Sequence, residues 1–188
     1  TFFSFNDTAG AEVVELVYSV SIQDGLLIFG AGGQNVDASA GADDTIVVGG
    51  TATGKFSTQG SDLLLLSNGA DIKEVVNTDN VTGGALNADD LKLDPNGAGD
   101  GQGSQVTMTA AQHNGFAKSF DATGSDDQIT LSTADTVTGD AAIETYNLAD
   151  GGGNDFSGAS VAQTVNGGTE DDIISTGGGA DTINANAG

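Results

Sequence analysis

The chain has no cysteine, and among its 188 residues there is one proline, one methionine and one histidine. Without cysteine there is no disulfide staple and no zinc-thiolate site. A secreted chain built this way needs another clamp, and calcium serves. Arginine is also missing. The only basic side chains are Lys55, Lys73, Lys92 and Lys118, set against 27 acidic residues for a net charge of −23. A chain without a basic face does not hold nucleic acid, because phosphate binding requires one. Anionic lipid surfaces repel it. No apolar run approaches the roughly 18 residues of a membrane helix, so membrane insertion is not expected. Self-repulsion at this charge opposes compaction, and divalent cations relieve it.

Glycine is abundant, with 30 residues, and hydrophobic residues make up 37% of the chain. An acidic, glycine-rich chain has a disordered reading. The apolar residues oppose it, because they fall in short β-like clusters. A halophilic surface is another reading, but it does not explain why Asp sits beside Gly in a fixed frame. That frame is clearest near the end. Gly167-Gly-Thr-Glu-Asp-Asp-Ile-Ile-Ser175 and Thr176-Gly-Gly-Gly-Ala-Asp-Thr-Ile-Asn184 are tandem nonapeptides of the form G-G-x-G-x-D-x-U-x, where U is a large apolar residue. Glycines permit tight turns, the Asp supplies a hard oxygen ligand, and the apolar residue drives a short strand inward. Glu170 departs from the pattern at a glycine position. Ala185-Asn-Ala-Gly188 opens a further repeat, so the array is expected to be cut within one. Because the chain starts at Thr1 without a signal-like segment, it reads as an excerpt of a larger protein.

Upstream, short apolar runs recur between Gly, Asn and Asp: Glu12–Val20, Leu26–Phe29, Thr45–Val48, Leu63–Leu66, Lys73–Asn77, Gln105–Met108, Gln128–Leu131 and Ile143–Leu148. These are expected strands. Thr109-Ala-Ala-Gln112 is a capping box, which predicts one short helix near 109–115, ending at Gly115. Two stretches, from Lys55 and from Lys118, resemble each other loosely. They suggest an N-terminal β segment at 1–54, a degenerate β-repeat module with an insertion at 55–117, a second module at 118–157 and nonapeptide repeats at 158–188. The insertion carries Pro95 and the helix. Phe156, Val165, Ile174 and Ile183 are nine residues apart. With two nonapeptides per coil, Phe156 and Ile174 point inward from one sheet, and Val165 and Ile183 from the other. The expected fold is all-β: a parallel β-helix or β-roll solenoid of short strands with Gly/Asp calcium-binding turns.

The same frame nominates ligands. Calcium takes six to eight oxygens from carboxylates and carbonyls. In the coil, Asn154 stacks with Asp172 and Gln163 with Asp181. Asp172 and Asp181 are the leading candidates, with carbonyls of Gly167, Gly168, Gly177 and Gly179 nearby; Asp171 and Asp155 come second. Gly41-Ala-Asp43-Asp44-Thr-Ile46 and Gly124-Ser-Asp126-Asp127-Gln-Ile129 share a looser G-x-D-D-x-U pattern and read either as lone calcium turns or as solvated turns. Asn87–Leu91 lacks the glycine. Asp94–Asp100 has alternating oxygen residues but no closing Glu. An Asx-turn explains any single Asp after Gly equally well; two in frame favour calcium. His113, the only histidine, has no nucleophile to serve and reads as a surface or turn residue. A lyase acting on acidic sugars would require basic residues, and no arginine is present.

The two nonapeptides resemble the hemolysin-type calcium-binding repeat (RTX) family. The preceding stretches, including Val106–Phe116 and Ile143–Asp150, look like degenerate strand repeats of large bacterial surface and S-layer-type proteins. The resemblance implies a type I-secreted protein at the bacterial cell surface that folds on meeting Ca2+. It further implies a non-catalytic structural role with self-association into a lattice or filament and a possible cell-surface polysaccharide partner. Val161–Val165 lacks the G-x-D core, which puts metal binding at that turn in doubt. An adhesin or carbohydrate-binding module, or the calcium-binding portion of a secreted hydrolase or toxin, are the alternative readings.

Overall fold

The computed structural model describes residues 20–21, 26–29, 35–38, 44–58, 62–77, 79–86, 90–93, 103–116, 121–122 and 126–187. Every pairing between its strands is parallel, and they fall into three lines along a solenoid. The first line runs through Leu26–Phe29, Thr45–Val48, Leu63–Leu66, Asp90–Leu93 and Asp121–Ala122. The second runs through Gln105–Met108, Gln128–Leu131, Thr145–Asn147, Thr164–Asn166 and Thr182–Asn184. Single parallel bridges extend it backwards, from Thr107 to Asp71 and from Asp71 to Thr51. The third holds two separate sheets, Val20–Ser21, Val36–Asp37 and Phe56–Ser57, and later Thr136–Thr138, Asp155–Ser157 and Ile173–Ser175.

The coil changes shape along the chain. In the first half a coil visits all three lines, as in Thr45–Val48, Thr51 and Phe56–Ser57. The first line ends at Asp121–Ala122, and from there each coil alternates between the second and third lines only. Coils at the two ends of the series have one length, since Ile46 pairs with Leu64 and Val165 with Ile183, both eighteen residues apart, while those between are longer, with Leu64 paired to Leu91 and Val106 to Ile129. Eighteen residues therefore wrap as three sides in the first half and as two in the second. The helix Ala110–Gly115 stands at the third-line position of its coil and packs on Thr136–Thr138. Thr109 caps it reciprocally with Gln112, as the sequence predicts, and the Thr109 hydroxyl also donates to the Gly83 carbonyl.

Alternation of side chains across each strand builds the core. Thr45–Val48, Leu63–Leu66 and Gln128–Leu131 bury every second residue, and Ile46, Leu64 and Ile129 are fully enclosed. Four of the three-residue strands bury only the middle one, Val137, Tyr146, Phe156 and Val165, whereas Ile174 is half-buried and Ile183 exposed. Each buried side chain of this kind contributes roughly 1.5–3 kcal/mol. On the outer surface of the second line, Asn184 donates to Asn166 and Asn166 to Asn147, both at 2.7 Å, and Asn147 donates to Thr130 at 3.1 Å. Ladders of this kind reinforce stacked parallel strands.

Most expected strands form where the sequence places them. Lys73–Asn77 does not. It turns at Lys73–Glu74, and only Val76 bridges its neighbours. Side chains here compete for the backbone. Lys73 pairs with Asp71, and the Asn77 carbonyl oxygen accepts from the N–H groups of Asp79 and Val81 while its amide donates to Ala85. Of the expected Glu12–Val20 strand only Val20 is described; Asp43, Asn87–Asp89 and Asp94–Asp100 lie outside the described residues.

Candidate functional site

The turns that enter the strands use their carboxylates in one recurring way. A backbone N–H just before a strand donates to a carboxylate just before the strand one coil later. Asp44 donates to Asp62 Oδ1 at 3.2 Å, Ser104 to Asp127 Oδ1 at 2.7 Å, and Asp127 to Glu144 Oε2 at 2.9 Å. Asn154 donates to Asp172 Oδ1 at 2.9 Å and Gln163 to Asp181 Oδ1 at 3.0 Å, each across eighteen residues. Both stacks expected from the nonapeptide frame are therefore present. Carboxylates that accept amide protons make charge-assisted bonds, stronger than neutral ones. The spacing left Glu144 unnominated; its place just before Thr145–Asn147 is the signal that would have found it.

The candidate ligands divide by environment. Asp44 and Asp127 are buried at the heads of their strands. Asp126 is exposed, with φ of 78°. Asp155 and Asp171 are also exposed, and Asp171 lines an open cleft with Gly151, Gly152, Gly153, Thr169 and Glu170. Gly177 and Gly179 are exposed, with φ of 76° and 128°, a backbone region that favours glycine. Gly167 and Gly168 are buried; a Cβ on Gly168 would lie 2.2 Å from the Ala149 carbonyl oxygen, so only glycine fits there. Among the described residues no three His, Cys, Asp or Glu side chains gather at one point. A cation in these turns would therefore depend on backbone and amide oxygens as well as on carboxylates.

One turn has such a set. Asn154 is 4% exposed, and three oxygens surround its amide nitrogen: Asp172 Oδ1 at 2.7 Å, Ala149 O at 3.0 Å and Gly152 O at 3.4 Å. An amide has two protons, so one nitrogen cannot serve three acceptors fully. Its own Oδ1 is buried without a hydrogen-bond partner. Orphaned buried oxygens are costly, commonly about 1–3 kcal/mol. The donor set, with a carboxylate, a carboxamide and two carbonyls, is the one calcium favours. The donor types match the ion, and the Asn154 amide nitrogen occupies the point where three of them converge.

Asp172 also accepts from the Gly168 N–H at 2.7 Å. Partial burial acts to raise its pKa, but the Asn154 and Gly168 hydrogen bonds outweigh it and hold the carboxyl below its usual range. A depressed carboxylate pKa stabilises the fold above the unfolded-state value near 3.9, and that stability is lost as pH falls through the folded value. Asp172→Asn should therefore flatten the acid end of the stability profile below about pH 4, measured by urea unfolding at stepped pH. An unchanged profile would remove Asp172 from this role.

His113 is buried at 4% exposure, not on the surface. Its helix lies against the coil, and the ring meets Tyr146, with Nε2 3.3 Å from the hydroxyl oxygen. Among the described residues no helix is long and apolar enough to cross a membrane. No family model matches the chain, and no curated protein or solved structure matches it.

Proposed function

We propose that this chain is a calcium-stabilised, non-catalytic β-solenoid segment of a large secreted structural protein at the bacterial cell surface. The observation that carries the reading is the orphaned Asn154 Oδ1 beside the convergent oxygens of Asp172, Ala149 and Gly152. Two features support it. The tandem nonapeptides resemble RTX repeats, and a net charge of −23 favours any fold that recruits divalent cations. Such an ion stabilises by mass action, by about 2.7 kcal/mol at a hundredfold excess over its Kd. Self-association into a lattice or filament extends the same reading, with calcium bridging acidic surfaces.

The test is isothermal titration calorimetry with thermal melting in calcium, set against magnesium. Calcium should bind and raise the melting temperature, and Asp172→Ala should remove one ion. Particle growth in light scattering would support assembly. No binding at millimolar calcium sinks the reading.

A carbohydrate-binding role is the second reading, favoured by one observation. From Gln105–Met108 onward, the outward rows of the second line, Gln105–Gln128–Thr145–Thr164–Thr182 and Thr107–Thr130–Asn147–Asn166–Asn184, contain no charge in a strongly acidic chain. Saturable glycan binding by a monomer would favour it.

A further inference from the structure

The two stacked pairs near the C-terminal end are not equivalent. We infer that the Gln163 carboxamide takes the place of a cation on its edge of the coil, so that this turn binds no calcium and stays closed without it. The inference rests on the calcium reading of the Asn154 turn, which supplies the comparison.

Gln163 is 2% exposed. Its Nε2 donates to Asp140 O at 2.9 Å and Ile143 O at 2.8 Å, twenty or more residues earlier. Its Oε1 accepts from the Ala159 N–H at 2.8 Å, within its own turn, and its backbone N–H donates to Asp181 one coil later. One residue therefore ties three successive coils. Two amide protons meet two carbonyls, and the amide oxygen meets one donor. Asn154 differs on each count: its nitrogen faces three oxygens, and its Oδ1 has no hydrogen-bond partner. The extra methylene of Gln allows the difference, because it reaches the carbonyls of the preceding coil. Asn154 reaches only its own turn and the following coil. The carbonyls of Asp140 and Ile143 thus already have a donor, and a neutral donor requires no counter-ion. Placing Gln where the repeat pattern has Asp leaves one edge of the coil indifferent to calcium, while the other edge responds to it.

The test uses Gln163→Ala and Gln163→Asp in the full chain. Bound calcium is counted by native mass spectrometry relative to the unsubstituted protein, and melting is followed in EDTA and in calcium. Gln163→Ala should bind the same number of ions as the parent. In EDTA it should melt lower by roughly 5–10 °C, from three lost hydrogen bonds, and calcium should not recover that difference. Gln163→Asp should bind one ion more, and calcium should restore its melting temperature; its ion count in calcium is readable even if it fails to fold in EDTA. Loss of an ion in Gln163→Ala, an unchanged EDTA melt for that variant, or no gained ion in Gln163→Asp would each overturn the inference. Asp172→Ala separates the two ideas. If it removes no ion while Gln163→Asp gains one, the reading of the Asn154 turn fails and the role of Gln163 stands.

Discussion

Phe156→Ala should lower the unfolding free energy by about 3–5 kcal/mol, at the upper end for a core truncation. The strands of the two-sided coils bury at most one side chain each, and Phe156 is the whole inward contribution of Asp155–Ser157. It lies in register between Val137 and Ile174. Its ring is also 4.9 Å from that of Tyr146, so the two sheets meet at this pair. Gly139 leaves the space for it: a Cβ there would be 2.7 Å from the Phe156 ring. Coils on either side are hydrogen-bonded into place and cannot collapse to fill the void. In a solenoid each coil touches only its neighbours, so the damage should be greatest nearby. Urea unfolding gives the total loss, and hydrogen exchange should show protection falling first in Thr145–Asn147 and Ile173–Ser175. Ile183→Ala is the contrast, because Ile183 is 48% exposed and should cost under about 1 kcal/mol. A loss of less than 1 kcal/mol for Phe156→Ala would mean that the two sheets do not depend on this contact.

The inward place of Phe156 was legible before any coordinates, because Phe156, Val165, Ile174 and Ile183 keep a nine-residue period; its contact with Tyr146 was not, and Ile183 keeps the register but is 48% exposed rather than turned inward. Four-residue runs such as Leu63–Leu66 and Gln128–Leu131 were legible for another reason, since a short apolar run between Gly, Asn and Asp residues marks a strand. The early part of the third line was not. Val36–Asp37 and Phe56–Ser57 are two residues long, too short for any alternation to show. The change from three sides to two depends on pairings between residues seventeen to twenty-nine apart, which no local pattern reports. The candidate turns show a similar division. The spacing aligned Asn154 with Asp172 and Gln163 with Asp181, but the chemistry of each pair depends on whether an amide finds partners. One methylene decides that, through carbonyls as far away as Asp140.

Acidification from pH 6.5 to below 4 should cost the fold about 3 kcal/mol through His113 alone. Burial is the main cause and pushes its pKa down to about 4; the Asn114 hydrogen bond and the charge of Asp140 oppose it only in part. The folded value lies below the unfolded one, near 6.5. Stability from the neutral ring is therefore complete above pH 6.5 and is lost as pH falls toward 4, where the ring must charge inside the core or the helix must leave it. The surroundings favour the neutral form. Tyr146 accepts from the Asp140 N–H at 2.8 Å, which leaves its own proton for His113 Nε2, and burial raises the pKa of that hydroxyl. A second proton on the ring would set two donors against each other. His113→Gln should remove most of the loss between pH 6.5 and 4, while the Asp172 contribution below about pH 4 remains. The two acid effects thus separate in pH and in place, one at the seam between helix and coil and the other at the Asn154 turn. Because the chain has one histidine, its ring proton resonances are unambiguous in an NMR titration. A folded-state midpoint near 6.5 would show the ring open to water and end the argument. A midpoint near 4, with unfolding that follows it, would place the first acid-labile step at the helix.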